Sequence, residues 1–178
     1  MSDLTITHGG VSATKKSAGE VLSRMKVTLI DADLTTVAAA VANDEVVSQS
    51  IELTNAVAIT GGTGIIQSVT LNSDDAETPA MDLIFTQVNN DIASARSATV
   101  GDDEDIDSIT ASVLGFVSLA NYTNLVDSMT VTATNIGLVV KAASDTTSIW
   151  VHLVNRSGGN FTPTAVDYLH VRVGIVQD

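Results

Sequence analysis

The stretch that most constrains the fold is the C-terminal run from Ile149 to Asp178, IWVHLVNRSGGNFTPTAVDYLHVRVGIVQD. It holds two alternating segments joined by a polar, Gly-rich crossing. In the first, Ile149, Val151 and Leu153 alternate with Trp150 and His152; in the second, Leu169, Val171, Val173 and Ile175 alternate with His170, Arg172 and Gly174. A period of two sends one set to a core and the other to the opposite face, the pattern of an antiparallel sheet buried on one side. A strand lying at the end of the chain is expected to pair inside a sheet. If these two strands pair with each other, His152, His170 and Arg172 share one polar face.

The same alternation recurs upstream. Met25–Ile30 reads as the first strand of a body, with Met25, Val27 and Leu29 on one face. An Asn43-Asp44 turn leads into a strand from Glu45 to Leu53. Gly61-Gly62-Thr63-Gly64 reads as a tight turn into a strand over Ile65–Leu71, because glycine tolerates positive φ. That strand and Ala80–Gln87 are expected to form a hairpin across the acidic turn NSDDAETP. Val113–Leu119, Ser128–Thr134 and Ile136–Ala142 supply three more strands. A short helical turn is expected around Asp105–Thr110. About eight short strands without a long amphipathic helix point to an all-β sandwich or barrel. The long connections at 31–44, 88–110 and 155–166 favour an antiparallel jelly-roll-like β-sandwich over a meander.

Composition narrows the function. Hydrophobic residues make up 44% of the 178 but aromatics only 3%, so the core is aliphatic and β-branched. With no cysteine there is no disulfide and no Cys-based metal site. No run approaches a membrane-spanning length, and the start MSDLTITHGG does not read as a secretory signal. Charge is uneven. Residues 1–26 carry Lys15, Lys16, Arg24 and Lys26 against Asp3 and Glu20, net +2, leaving four basic and nineteen acidic groups, net −15, for the rest. An acidic body argues against nucleic acid and against anionic membrane as partners. Residues 1–24 read as an extended basic arm able to reach an acidic surface, and residues 25–178 as the sandwich body.

The chemistry-bearing motifs are weak. Asp103, Asp105 and Asp107 match the first oxygen ligands of an EF-hand loop, yet Ser108 stands where that loop needs Gly and Leu114 where it needs Glu. A solvated acidic loop is the expectation, with no metal. GGTG lacks the third Gly of a dinucleotide fingerprint and the Lys of a P-loop. His8, His152 and His170 are far apart, and no nucleophile elbow or zinc-protease motif occurs. No catalytic residue, cofactor or metal ligand is expected, and the chain does not read as an enzyme. The candidate partner contacts are Lys15, Lys16, Arg24 and Lys26 of the arm, with Trp150 and His152 on the face opposite the core residues of their strand.

Several stretches together resemble a group of small virion proteins of tailed bacteriophages. They are ANDEVVSQSIELTNAV, GTGIIQSVTLNSDD with MDLIFTQVN, and the ending YLHVRVGIVQD. The likeness covers roughly residues 40–178 and is most specific at Gly62–Ser68 and Arg172–Asp178. It implies a capsid decoration (cement) protein on the outer capsid surface, bridging subunits of the major capsid protein. A homo-oligomer, a trimer in particular, suits such positions. It implies no catalytic residues. A tail, baseplate or head-fibre component with glycan-binding loops is the alternative, for which 3% aromatics is thin.

Overall fold

The computed structural model describes residues 26–34, 36, 39–74, 79–89, 92, 112–163 and 169–177, together with the backbone of 4–8, 11–16 and 20–24. Among the described residues there are twelve strands: β1 (Leu4–His8), β2 (Val11–Lys16), β3 (Glu20–Arg24), β4 (Lys26–Leu34), β5 (Val46–Leu53), β6 (Thr63–Ser73), β7 (Met81–Thr86), β8 (Val113–Leu119), β9 (Thr123–Asn124), β10 (Met129–Lys141), β11 (Ile149–Asn155) and β12 (Leu169–Gln177). They form three antiparallel sheets, ordered β1-β2-β3, β4-β12-β6-β10-β9 and β5-β11-β7-β8.

The two larger sheets form a jelly roll. β4 pairs with β12, β5 with β11, β6 with β10 and β7 with β8. These four pairs are nested, so residues 26–177 form one long double-stranded ribbon whose tip lies between β7 and β8. Rolling that ribbon adds the β12–β6 and β11–β7 pairings and divides the strands between two sheets. This is the eight-stranded double Greek key of a jelly roll, with β9 as a short extra edge. The sandwich anticipated from the strand pattern is therefore present, but two local pairings differ from expectation. β6 and β7 lie in different sheets and are not a hairpin, and β11 and β12 likewise never pair. His152 and His170 consequently sit on separate sheets. Alternation specifies a strand's buried face and leaves its neighbour open.

The inward faces meet in one aliphatic core. Ile30 and Leu34 of β4, Val171, Val173 and Ile175 of β12, Ile66 and Leu71 of β6, and Val131 of β10 come from one sheet. Leu53, Leu83, Phe85, Val117, Ile149, Val151 and Leu153 come from the other. Phe85 and Phe161 are the largest fully buried side chains of this core among the described residues. The expected turns at Asn43-Asp44 and Gly61 are present, with Asp44 at φ 69° and Gly61 at φ 68°. The two strands expected at 128–134 and 136–142 are one strand, β10, irregular between Thr134 and Leu138.

Buried Asn155 ties the two long loops at one end of the sandwich. Its Nδ2 donates to the carbonyl oxygens of Val41 and Gly159, each at 2.9 Å, and its Oδ1 accepts from the Ser157 amide at 2.9 Å. Val41 and Phe161 also exchange backbone hydrogen bonds. Arg156 joins Asp82 at 2.9 Å and Asp44, linking β7 to the turn before β5. Both carboxylates raise the Arg156 pKa above its ordinary value, although its partial burial opposes them.

Where an extended arm is expected over residues 1–24, residues 4–24 carry the three-stranded sheet β1–β3. The acidic stretch 101–107 and the helical turn expected at 105–110 lie outside the described residues.

Asn155→Ala removes three hydrogen bonds and leaves their buried partners unsatisfied. It is expected to cost about 2–3 kcal/mol and lower Tm by roughly 5–10 °C. Denaturant unfolding checks this. A loss below about 0.5 kcal/mol, the scale of an ordinary surface substitution, would contradict the tie between the loops.

Candidate partner-binding surface

The outer face of the five-stranded sheet is built in registered rows. At one end, Asp33, His170, Asn72 and Thr130 stand side by side across β4, β12, β6 and β10, and Asp31, Arg172, Thr70 and Thr132 form the next row. These side chains pair across the strands. His170 Nδ1 meets Asp33 and Arg172 Nε meets Asp31, both at 2.5 Å. Thr130 Oγ1 donates to Asn72 at 2.7 Å, and the Thr70 and Thr132 hydroxyls lie 3.0 Å apart. Asp31 raises the Arg172 pKa through its hydrogen bond and its charge. Such exposed pairs contribute little stability, but they fix a polar ladder on the surface.

Further along the sheet the character changes. β6 bulges at Gln67, where Gly174 pairs with Ser68 but Ile175 pairs with Ile66. β10 bulges over 135–137, where Thr134 pairs with Ser68 and Leu138 with Ile66. An extra residue in a strand reverses which side chains face outward. Beyond the bulges the outer row is Val27, Val176, Ile65 and Val139, registered across four strands, with Leu29 alongside. Val27 is 67% exposed, Leu29 62% and Val139 63%. Leu29 lies over Gly174, where an added Cβ would stand 3.4 Å from Leu29 Cδ2 and 2.5 Å from Ser68 Oγ. Glycine at 174 therefore allows this close approach. A contiguous, registered apolar row on an outer face has the character of an interaction site, unlike apolar residues scattered singly.

The outer face of the four-stranded sheet differs from expectation. Trp150 and His152 do lie opposite the core residues of β11. Yet His152 is fully buried at 0% exposure and Trp150 is only half-exposed. A second apolar cluster of Val46, Ile92 and Val154, with Ile84 packed on it, occupies this side of the sheet. Residue 92 belongs to the long connection after β7, so a loop supplies part of this second layer. His152 thus cannot act as a surface contact in this subunit. Thr86 Oγ1 donates to Val88 O at 3.0 Å, which leaves it to accept from His152 Nε2 at 3.2 Å. Nδ1 is then the unprotonated nitrogen, without a hydrogen-bond partner among the described residues. Burial lowers the His152 pKa from 6.5 to about 4, so the ring is neutral at physiological pH.

The remaining anticipated contacts are placed as follows. Lys15 and Lys16 are neighbours in β2, Arg24 closes β3 and Lys26 opens β4, where it is exposed. Lys26 pairs with Gln177 in the five-stranded sheet, so it does not share a sheet with Trp150. The apolar row itself was missed. Val27 and Leu29 read only as sharing one face of the first strand; that face is outward, and the inward residues are Ile30 and Leu34. A signal existed in Asp31 and Asp33, which share the parity of Val27 and Leu29 and mark that face as outward.

Among the described residues no group of three His, Asp or Glu side chains is placed to hold a metal. An open hollow is lined by Thr60, Gly61, Gln87 and Lys141–Ser144. No helix among the described residues is long and apolar enough to cross a membrane.

No protein-family profile and no curated protein matches the sequence. Among solved structures, a chain of Desmodium yellow mottle tymovirus is similar at 12% identity and TM-score 0.26, covering 92% of this chain and 87% of that one. A chain from the structure of infectious bursal disease virus, Gx strain, is similar at 12% identity and TM-score 0.20, covering 94% of this chain and 46% of that one. At these scores neither likeness carries an argument; the jelly-roll assignment rests on strand order and register.

The buried imidazole has a measurable consequence. Its folded pKa, about 4, lies below the unfolded value of 6.5. The stability it allows is therefore complete above about pH 6.5 and is lost as pH falls toward 4, by about 3 kcal/mol in total. Unfolding free energies of the native chain and of His152→Gln, measured from pH 7.5 to 4.5, should diverge in slope below pH 6.5, with the native chain falling more steeply. Parallel curves would contradict the burial of a neutral His152.

Proposed function

We propose that this chain is a structural virion protein of a tailed bacteriophage that decorates the outer capsid surface and stabilises it by bridging major capsid protein subunits. The observation that carries this reading is the outward apolar row Val27, Val176, Ile65 and Val139, exposed at Val27 and Val139 and half-buried at Val176 and Ile65, beside a polar ladder on the sandwich body. Such a body has surface to offer a partner. The jelly roll is one of the architectures used by viral capsid domains, and the resemblance of residues 40–178 to small phage virion proteins points the same way. Fold alone does not assign function.

On this reading the working parts are surfaces. Lys15, Lys16, Arg24 and Lys26 meet acidic patches on the capsid lattice, and half-exposed Trp150 is a secondary contact. The excess of acidic groups elsewhere, net −15 outside residues 1–26, keeps the subunit off packaged DNA. A trimer places three such bodies around a local three-fold axis, so each copy spans neighbouring capsid subunits. Virion assembly, with no chemical step, is the activity.

One observation favours the tail or head-fibre alternative. Phe116, on the outer face of β8, is 65% exposed and offers an aromatic surface for stacking on a sugar ring. Co-sedimentation separates the two readings. Purified protein mixed with expanded capsids lacking it should pellet to a fixed stoichiometry, and the quadruple change of Lys15, Lys16, Arg24 and Lys26 to Glu should abolish this. Retention on host surface polysaccharide, lost on Phe116→Ala, together with no capsid binding, would replace decoration by the alternative.

A further inference from the structure

Two apolar faces of the molecule bear on how it associates. One is the row Val27, Val176, Ile65 and Val139 with Leu29. The other follows from the register of the small sheet. Leu4 pairs with Lys15, Ile6 with Ala13 and His8 with Val11, while Lys15 pairs with Val21 and Ala13 with Ser23. Positions 4, 6, 8, 11, 13, 15, 21 and 23 therefore share one face, and five of the eight are aliphatic. The opposite face holds positions 5, 7, 12, 14, 16, 20, 22 and 24, where Leu22 is the one aliphatic. A three-stranded sheet of five- and six-residue strands becomes stable by laying its apolar face on something else.

We propose that the apolar face of β1–β3 covers the Val27–Val176–Ile65–Val139 row of a second copy of this chain, so that subunits associate by exchanging their N-terminal sheets. Two observations select a second copy as the occupant. First, Val27, Leu29 and Val139 of the row stay exposed although the chain's own β1–β3 sheet is present. Second, the charges match. Residues 1–24 are net +1 and residues 25–178 net −14, so the segment is drawn to another copy's body while two bodies alone repel.

The arrangement sorts the basic residues. Lys15 has the parity of the covering face, so in this arrangement it is withdrawn from the capsid contacts. Lys16 and Arg24 have the opposite parity and remain free for a third partner, such as a capsid surface. Reciprocal exchange closes a dimer, and head-to-tail exchange closes a trimer or larger ring.

The proposal is tested on the isolated full-length protein, separately from any particle binding. Analytical ultracentrifugation should show an oligomer for the native chain. Val139→Glu, which charges the row, and Ile6→Glu, which charges the covering face, should each weaken association at least tenfold while the body still unfolds in one cooperative transition. Mixing the two variants should restore a complex, because an intact row on one chain meets an intact sheet on the other. A monomeric native chain, or full association in the Val139→Glu variant, would overturn the proposal. So would sensitivity to Val139→Glu alone, since the row would then pair with something other than β1–β3. Capsid binding without self-association would leave the decoration reading standing, and self-association without capsid binding would leave the exchange standing.

Discussion

Everything in this chain depends on the nested pairing of β4 with β12, β5 with β11, β6 with β10 and β7 with β8. Each pair joins segments far apart in sequence, the outermost bringing Lys26 to Gln177. Such contacts carry the loop-closure entropy of the whole intervening chain, and the inter-sheet aliphatic core must outweigh it. That core is recruited only when the ribbon rolls, because a flat ribbon exposes Phe85, Leu71 and Val173 on one side. Rolling and burial are therefore one event. The Asn155 hydrogen bonds and the Val41–Phe161 bridge then fasten the ends of the connections that the roll brings together.

The outer faces follow from the same geometry. On the five-stranded sheet, the bulges in β6 and β10 are where the pairing accommodates extra residues, and they divide the surface into a polar ladder and an apolar row. Gly174 lets Leu29 lie close against that row. On the four-stranded sheet, the connection after β7 contributes Ile92 to a second apolar layer. That layer leaves His152 desolvated, with one nitrogen hydrogen-bonded to Thr86. One sheet thus presents an apolar row, while the other is covered around His152 and open at Phe116. This asymmetry suits a subunit that works by contact.

Much of the fold was legible because alternation reports burial directly. Ile149, Val151 and Leu153, and Val171, Val173 and Ile175, all face the core as their spacing requires. The turns at Asn43-Asp44 and Gly61-Gly62 were legible from backbone chemistry. Strand partners were not, since a period of two is the same whether β6 continues into a hairpin or crosses to the opposite sheet. Length and loop size suggested a jelly roll, and register established it. The surface was less legible still. His152 alternates with aliphatics like a solvent-facing residue, and only a loop from elsewhere in the chain buries it. Val27 and Leu29 resemble core residues until Asp31 and Asp33, on the same side, are set against them. Residues 4–24 read as an arm because Gly, Ser and Thr dilute their alternation, yet three short strands fit there.

On the proposed reading the protein works as a contact-making subunit on the outside of a capsid, and locating the chain by cryo-EM in intact particles decides it. β-Sandwich density is expected to repeat at regular positions over the outer icosahedral shell, with the N-terminal residues in contact with the capsid lattice or a neighbouring copy. Density confined to the tail, or too few copies to follow the lattice, would contradict it.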